Sequence, residues 1–236
     1  MTIQEMHYDF KQKLNKLDSQ NYRNLKVPEI DWKLNEAIEL YVKTIAEPKY
    51  KTIYGFEKNQ VISDNIRPLV VASGNLTITS DSIITLPDDY GYFIAFRDMK
   101  IKGVENNASE VAVEKFHVVQ HNDDSNSSFL DNSSLLWREV NFSFEGNNIV
   151  VELNGFTVES CSITYLKEHP IVANPSSYPN GSYKDLNGKV IDTNQNCILP
   201  DNTHREIVDL AVAITAGDLE NPNYKITRDK LGLDQL

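Results

Sequence analysis

The stretch Thr203-His-Arg-Glu206-Ile-Val-Asp-Leu-Ala-Val-Ala-Ile-Thr-Ala-Gly-Asp-Leu219 decides how the rest of the chain is read. Thr203 can accept a hydrogen bond from the Glu206 N–H while the Glu206 carboxylate reaches back, so the two form a capping box and predict a helix start. Ile207, Leu210, Ala211 and Ile214 then fall at steps of three and four, one apolar stripe, and Pro222 ends the run. A helix with one apolar stripe cannot bury it alone, so its cover must come from elsewhere in the chain.

Working outward, the cover is found at the other end. Ile3, Met6, Phe10, Leu14 and Leu17 make one stripe along a first helix. After a polar connection from Asp18 to Lys26, Pro28 suits a helix start, and Glu29 and Asp31 suit the positive end of the helix dipole. The second stripe runs Ile30, Leu34, Ala37, Ile38, Tyr41, Val42 and Ile45, and Pro48 stops it. These two helices form an αα-hairpin that is expected to pack with the last helix into a bundle.

Between them the period changes from helical spacing to two. Leu69-Val-Val, Leu76-Thr-Ile-Thr, Ser82-Ile-Ile-Thr-Leu, Tyr92 to Arg97, Val111-Ala-Val, Phe116-His-Val-Val, Val140 to Phe144, Ile149 to Leu153 and Phe156 to Tyr165 are short β-branched or aromatic runs separated by Gly, Asn, Asp and Pro. In Val140-Asn-Phe-Ser-Phe the alternation sets Val140, Phe142 and Phe144 on one face and Asn141 and Ser143 on the other. Gly146-Asn-Asn and Asn154-Gly155 read as hairpin turns, and Asn59 to Arg67 as one short helix. The fold class expected is α+β: a helical bundle from residues 1–67 and 199–236, with an inserted antiparallel, β-sandwich-like domain at 68–198. Two polar stretches, 122–134 and 174–186, read as long loops, the kind of segment that carries contacts.

Composition narrows the function classes. The chain has 236 residues, 23 Lys and Arg against 34 Asp and Glu, and a formal net charge of -11. Such a surface repels a phosphate backbone, which argues against sequence-specific nucleic-acid binding. No apolar run has the length of a membrane span, Ile207 to Ile214 being broken by Asp209, and Met1-Thr-Ile-Gln-Glu lacks the pattern of a secretory leader. Cys161 and Cys197 are the two cysteines, without C-x-x-C spacing, which fits a reducing compartment. The N-x-S/T triplets are read as chance hits in an Asn-rich chain.

Each chemical constellation has a plainer explanation. His121, Asp123 and Asp124 offer an imidazole and two carboxylates, but the glycine turn and terminal Glu of a calcium loop do not follow, so a solvated turn is expected. Asp88-Asp89 before Tyr90 reads as a turn or a short helix with an Asp cap, and His204 near Glu206 and Asp209 as a structural residue of a helix's first turn. Cys161 is expected to be buried in a strand. There is no G-x-S-x-G, G-x-G-x-x-G or G-x-x-x-x-G-K. No catalytic residue, cofactor or metal is therefore expected. Trp32 and Trp137 are candidate interface anchors, although tryptophans beside a stripe or strand are as often core.

Asp31-Trp-Lys-Leu-Asn-Glu-Ala, Ser133-Ser-Leu-Leu-Trp-Arg-Glu-Val-Asn and His204-Arg-Glu-Ile-Val-Asp-Leu-Ala-Val followed by Gly217-Asp-Leu resemble structural proteins of crAss-like bacteriophages. Within that group the chain is similar to a ring, or head–tail connector, protein of a short-tailed virion, in plan like the tail tubular and adaptor proteins that carry a helical bundle with an inserted β domain. The resemblance implies a non-enzymatic virion component, located in the tail or neck and in the host cytoplasm during assembly. It implies a closed homo-oligomer of about twelve copies, stacked against the portal protein and adjacent tail rings around a channel through which duplex DNA passes without sequence-specific binding. Trp32, Trp137, Arg138, Tyr178, Tyr183 and Tyr224 are the interface residues expected. The alternative from another class is a carbohydrate- or fibre-binding tail module, suggested by Tyr178, Tyr183 and Trp137 beside polar loops, and a carboxylate hydrolase using Asp88, Asp89, Asp123 or Asp124 ranks last.

Overall fold

The structure, a computed structural model, describes residues 1–17, 25–46, 64–79, 82–103, 111–114, 117–120, 139–152, 156–185 and 188–218. The protein is mixed α and β. The chain divides into two compact units, Met1–Leu69 with His169–Leu236, and Val70–Glu168.

In the first unit, helix α1 spans Ile3–Leu17 and helix α2 spans Val27–Ala46. A capping box does start a helix here, but it is at Thr2: Glu5 N–H donates to Thr2 Oγ1 (3.3 Å) and Thr2 N–H to the Glu5 carboxylate (2.8 Å). At the start of α2, Lys26 N–H donates to Glu29 Oε2 at 2.7 Å. The apolar stripes face inward as expected, with Met6, Phe10, Ile30, Leu34 and Ala37 all 0% exposed.

The last helix, α3, spans Asp201–Asp218, so it begins before the expected Thr203 start. Thr203 lies within its first turn, and its hydroxyl donates to the Pro200 carbonyl (2.8 Å) instead of accepting from Glu206. The expected stripe is also too narrow. Ile207, Val208, Leu210, Ala211, Val212, Ala213, Thr215 and Ala216 are all buried, because α3 packs against both α1 and α2 and needs apolar surface on two sides. Lys13 on α1 bridges Asp9 (2.9 Å) and Asp209 on α3 (2.6 Å). Burial alone would lower the Lys13 pKa, but the hydrogen bonds to Asp209 and Asp9 outweigh it and raise it.

The expected boundary at residue 198 is corrected. Residues 169–198 belong with the helices, since Asn35 and Asp31 of α2 hold the backbone at Val172 and Asn174. This segment carries two short 3-10 turns, Pro175–Ser177 and Pro179–Gly181. The 174–186 stretch is thus no free loop in its described part: Asn174 and Pro175 are buried.

The second unit holds β1 (Val70–Ala72), β2 (Leu76–Thr77), β3 (Ile83–Thr85), β4 (Tyr90–Gly103), β5 (Val111–Glu114), β6 (His117–Gln120), β7 (Glu139–Glu145), β8 (Asn148–Glu152) and β9 (Phe156–Lys167). One sheet has the order β1-β9-β4-β5 with β2 also on β9, and the other β3-β8-β7-β6. Between them lies a core including Ile84, Val140, Phe142, Ile149, Ile163 and Tyr165, against which Phe93, Phe96 and Phe144 pack with ring centroids 5.0 to 5.5 Å apart. Asn141 is buried as well, where the alternation placed it on the polar face.

Among the described residues pairing is antiparallel except at β6 and β7, which run parallel. Parallel neighbours need a connection of roughly a dozen residues or more, and residues 121–138 intervene. At the β7–β8 hairpin Gly146 has φ +59°, the positive φ that two-residue turns ask of glycine. The Asn154-Gly155 turn lies outside the described residues. Pro87 to Tyr90 is a turn as expected, with Tyr90 N–H donating to the Pro87 carbonyl at 3.0 Å.

Candidate functional site

Asp31 sits one turn ahead of Leu34 and two ahead of Ile38, so helical spacing carries it onto the buried face of α2. It is 3% exposed. A carboxylate there must be satisfied, and three donors converge on it: His7 Nε2 of α1 donates to Oδ1 at 2.7 Å, and Tyr183 Oη and the Asn174 N–H donate to Oδ2 at 2.6 and 3.1 Å. Burial, and then the Asp31 carboxylate beside it, pushes the Tyr183 phenol well above its ordinary pKa.

Asn35, one turn on, behaves like a strand partner for the incoming segment. Its Nδ2 donates to the Val172 carbonyl (2.9 Å) and its Oδ1 accepts from the Val172 N–H (2.8 Å). The segment then doubles back as the small ladder β10 (Tyr183–Lys184) and β11 (Val190–Ile191).

Beside this network opens a cavity of about 610 Å³ lined chiefly by apolar side chains, Leu25, Pro28, Trp32, Ile171, Ile191 and Tyr183 among them. Trp32 points away from the stripe and is 54% exposed, as is Ile171. Tyr178 packs edge-on against Tyr183 with centroids 5.8 Å apart. Three residues expected at an interface, Trp32, Tyr178 and Tyr183, are thereby drawn to one place, two lining the cavity and the third buttressing it. Trp137, Arg138 and Tyr224 lie outside the described residues. At the cavity's edge Lys33 is shared by Glu36 and Asp218, and those hydrogen bonds outweigh the lowering effect of burial and raise its pKa.

The other constellations resolve as follows. Asp89 accepts from the Tyr165 hydroxyl at 2.8 Å. His204 is 2% exposed, and its Nε2 donates to the Leu199 carbonyl at 2.8 Å. Cys161 is buried in β9 and Cys197 near His169, whose Nε2 lies 3.4 Å from Sγ and accepts the Ile198 N–H at 3.2 Å. Burial pushes the two thiols up to about 12 and about 11. Such a thiol is protonated at neutral pH and is a poor nucleophile. The His121, Asp123 and Asp124 group lies outside the described residues. Among the described residues no helix is long and apolar enough to cross a membrane.

Sequence reasoning singled out Trp32 and Tyr183 but missed Asp31, His7 and Asn35 as the residues that position them. The available signal was a carboxylate inside an apolar stripe, which ordinarily means a buried, partnered charge. Comparison with protein families and with curated proteins finds no match to the chain.

Proposed function

We propose that the protein is a structural subunit of a ring in the head–tail connector of a short-tailed bacteriophage, assembled around the channel through which the genome leaves. One observation supports this: α3, from the end of the chain, packs against both α1 and α2, from its beginning, and the β unit is the stretch of sequence inserted between them. In this role the three helices build the channel wall, and the β unit supplies a second surface for contacts within the tail. A head-to-tail ring needs two dissimilar faces on each subunit, which two units of unlike architecture provide. The net charge of -11 suits a conduit along which duplex DNA slides without lysine and arginine contacts to its phosphates. The residue blocks that resemble structural proteins of crAss-like phages point the same way.

Mass photometry or negative-stain microscopy of the purified protein, alone and with its portal protein, tests the assignment. A closed ring, expected at about twelve copies, supports it. A particle that stays monomeric and binds neither portal nor a neighbouring tail ring overturns it.

A further inference from the structure

The cavity beside Trp32 is bordered by β11, through Ile191, and among the described residues that strand pairs with β10 alone. The Asp185 N–H donates to the Lys189 carbonyl at 3.0 Å, which makes these two a hydrogen-bonded pair. Bonded and non-bonded pairs alternate along an antiparallel ladder, so the next pair, Lys184 with Val190, is non-bonded. The N–H and C=O of Val190 therefore point out from the free side of β11, and Val190 is 55% exposed. An edge of that kind is a template for one more strand. We propose that it takes an extended peptide segment of a partner protein, added as a strand beside β11, with apolar or aromatic side chains at alternate positions and lysine or arginine at its ends.

Each part of that chemistry answers a feature of the site. Side chains alternate across a strand, so the residue lying beside Ile191 turns to the same face and onto the cavity. There Trp32 and Ile171 offer exposed apolar surface, and tryptophan and tyrosine are the commonest anchors of protein interfaces. The lining carries four carboxylates, Glu29, Asp31, Asp185 and Asp218, against Lys33 and Lys184, a net charge of -2 (2 minus 4). Asp31 has its three donors and Asp218 has Lys33. Among the described residues Glu29 and Asp185 accept only backbone N–H groups, from Lys26 and Lys189, so neither charge is answered by an ion pair. Basic ends on the peptide supply those partners, and an acidic strand is repelled. The bonds of Asp31 to Tyr183 and of Asn35 to Val172 fix the lining before a ligand arrives, which lowers the cost of binding. The inference does not rest on the ring assignment, since a single copy presents the whole site.

Random peptides about seven residues long, roughly 24 Å as a strand, are displayed and selected against the full-length protein. The most enriched peptide, made with a fluorescent label, is then titrated by polarisation. Enriched sequences should show the alternating apolar pattern with basic ends. Affinity should fall at least about tenfold on W32A, and several-fold when the one peptide nitrogen facing Val190 is methylated, found by methylating each in turn. No enrichment, enrichment of acidic sequences, or an affinity unchanged by W32A overturns the proposal. So does indifference to every methylation, which would leave side chains alone responsible. With two tryptophans in the chain, full-length W137F reports on Trp32 alone, and Trp32 emission that shifts with protein concentration in the absence of peptide makes a second copy the occupant and also overturns it. Circular dichroism checks that W32A is folded, and the methylation series, read on the unaltered protein, decides the matter if it is not.

Discussion

His7 Nε2 and Asp31 Oδ1 lie 2.7 Å apart, with their side chains 6% and 4% exposed. They join α1 to α2 through a carboxylate that also holds Tyr183 and the Asn174 backbone. A buried group with several partners costs most when it alone is removed, because the partners stay behind desolvated.

Asp31→Ala should therefore destabilise the protein by about 3 kcal/mol or more. Asp31→Asn, which keeps the shape and one acceptor oxygen, should cost less. Urea unfolding followed by circular dichroism measures both, and a D31A midpoint within error of wild type would show that the network contributes little.

Tyr183 gives the fold an alkaline limit. Its phenol has a raised pKa in the folded state, so its contribution is fully present below the unfolded value near 10 and is lost as pH rises towards the folded value. Tyr183→Phe loses the hydrogen bond to Asp31 and should be less stable than wild type by about 1 to 2 kcal/mol at neutral pH. Because Phe cannot ionise, that gap should shrink steadily above about pH 10. Thermal melts across this window decide it, and a gap that stays constant would assign the alkaline transition to other groups.

Gly91 in β4 has no room for a side chain. A Cβ built there would stand 3.0 Å from the Leu166 carbonyl oxygen and 3.4 Å from the Glu168 nitrogen, both backbone atoms that cannot swing aside. Gly91→Ala should cost about 1 to 3 kcal/mol by forcing β4 and β9 apart. By contrast, Gly74, where a Cβ meets nothing within 4 Å, should tolerate alanine, and the difference between the two melting temperatures is the readout.

Neither cysteine should behave as a nucleophile. With thiols pushed up to about 12 and about 11 by burial, Cys161 and Cys197 should resist a thiol-specific reagent at neutral pH and react together once the protein unfolds. Rapid labelling of Cys197 alone would mean that His169 accepts its proton, which the Ile198 N–H already bound at Nε2 opposes.

The parts of this architecture that were legible in the sequence are those written at short range. Helical stripes such as Ile30 to Val42 and alternating runs such as Val140 to Phe144 encode their own burial, and the mixed α and β composition with antiparallel sheets follows from them. What the sequence does not spell out is which distant segments meet. Residues 169–198 look like turn-rich loop because their hydrogen-bond partners, Asp31 and Asn35, lie more than a hundred positions away. The parallel register of β6 and β7 is likewise invisible, since side-chain alternation is the same in both pairings. The Thr203 box misled for a different reason: its motif is sound, but Pro200 lets α3 begin earlier, and the working box formed at Thr2 and Glu5 instead.

Because the helical unit is split between the two ends of the polypeptide while the β unit is continuous, synthesis on a ribosome imposes an order. The β unit has all its strands once Glu168 has been translated, whereas α1 and α2 must wait with their stripes uncovered until α3 emerges. At roughly 5 to 20 residues per second, that delay lasts about 10 to 30 seconds. A stop codon between Glu168 and Asp201 therefore leaves a finished sheet module tethered to two helices that lack the cover of α3.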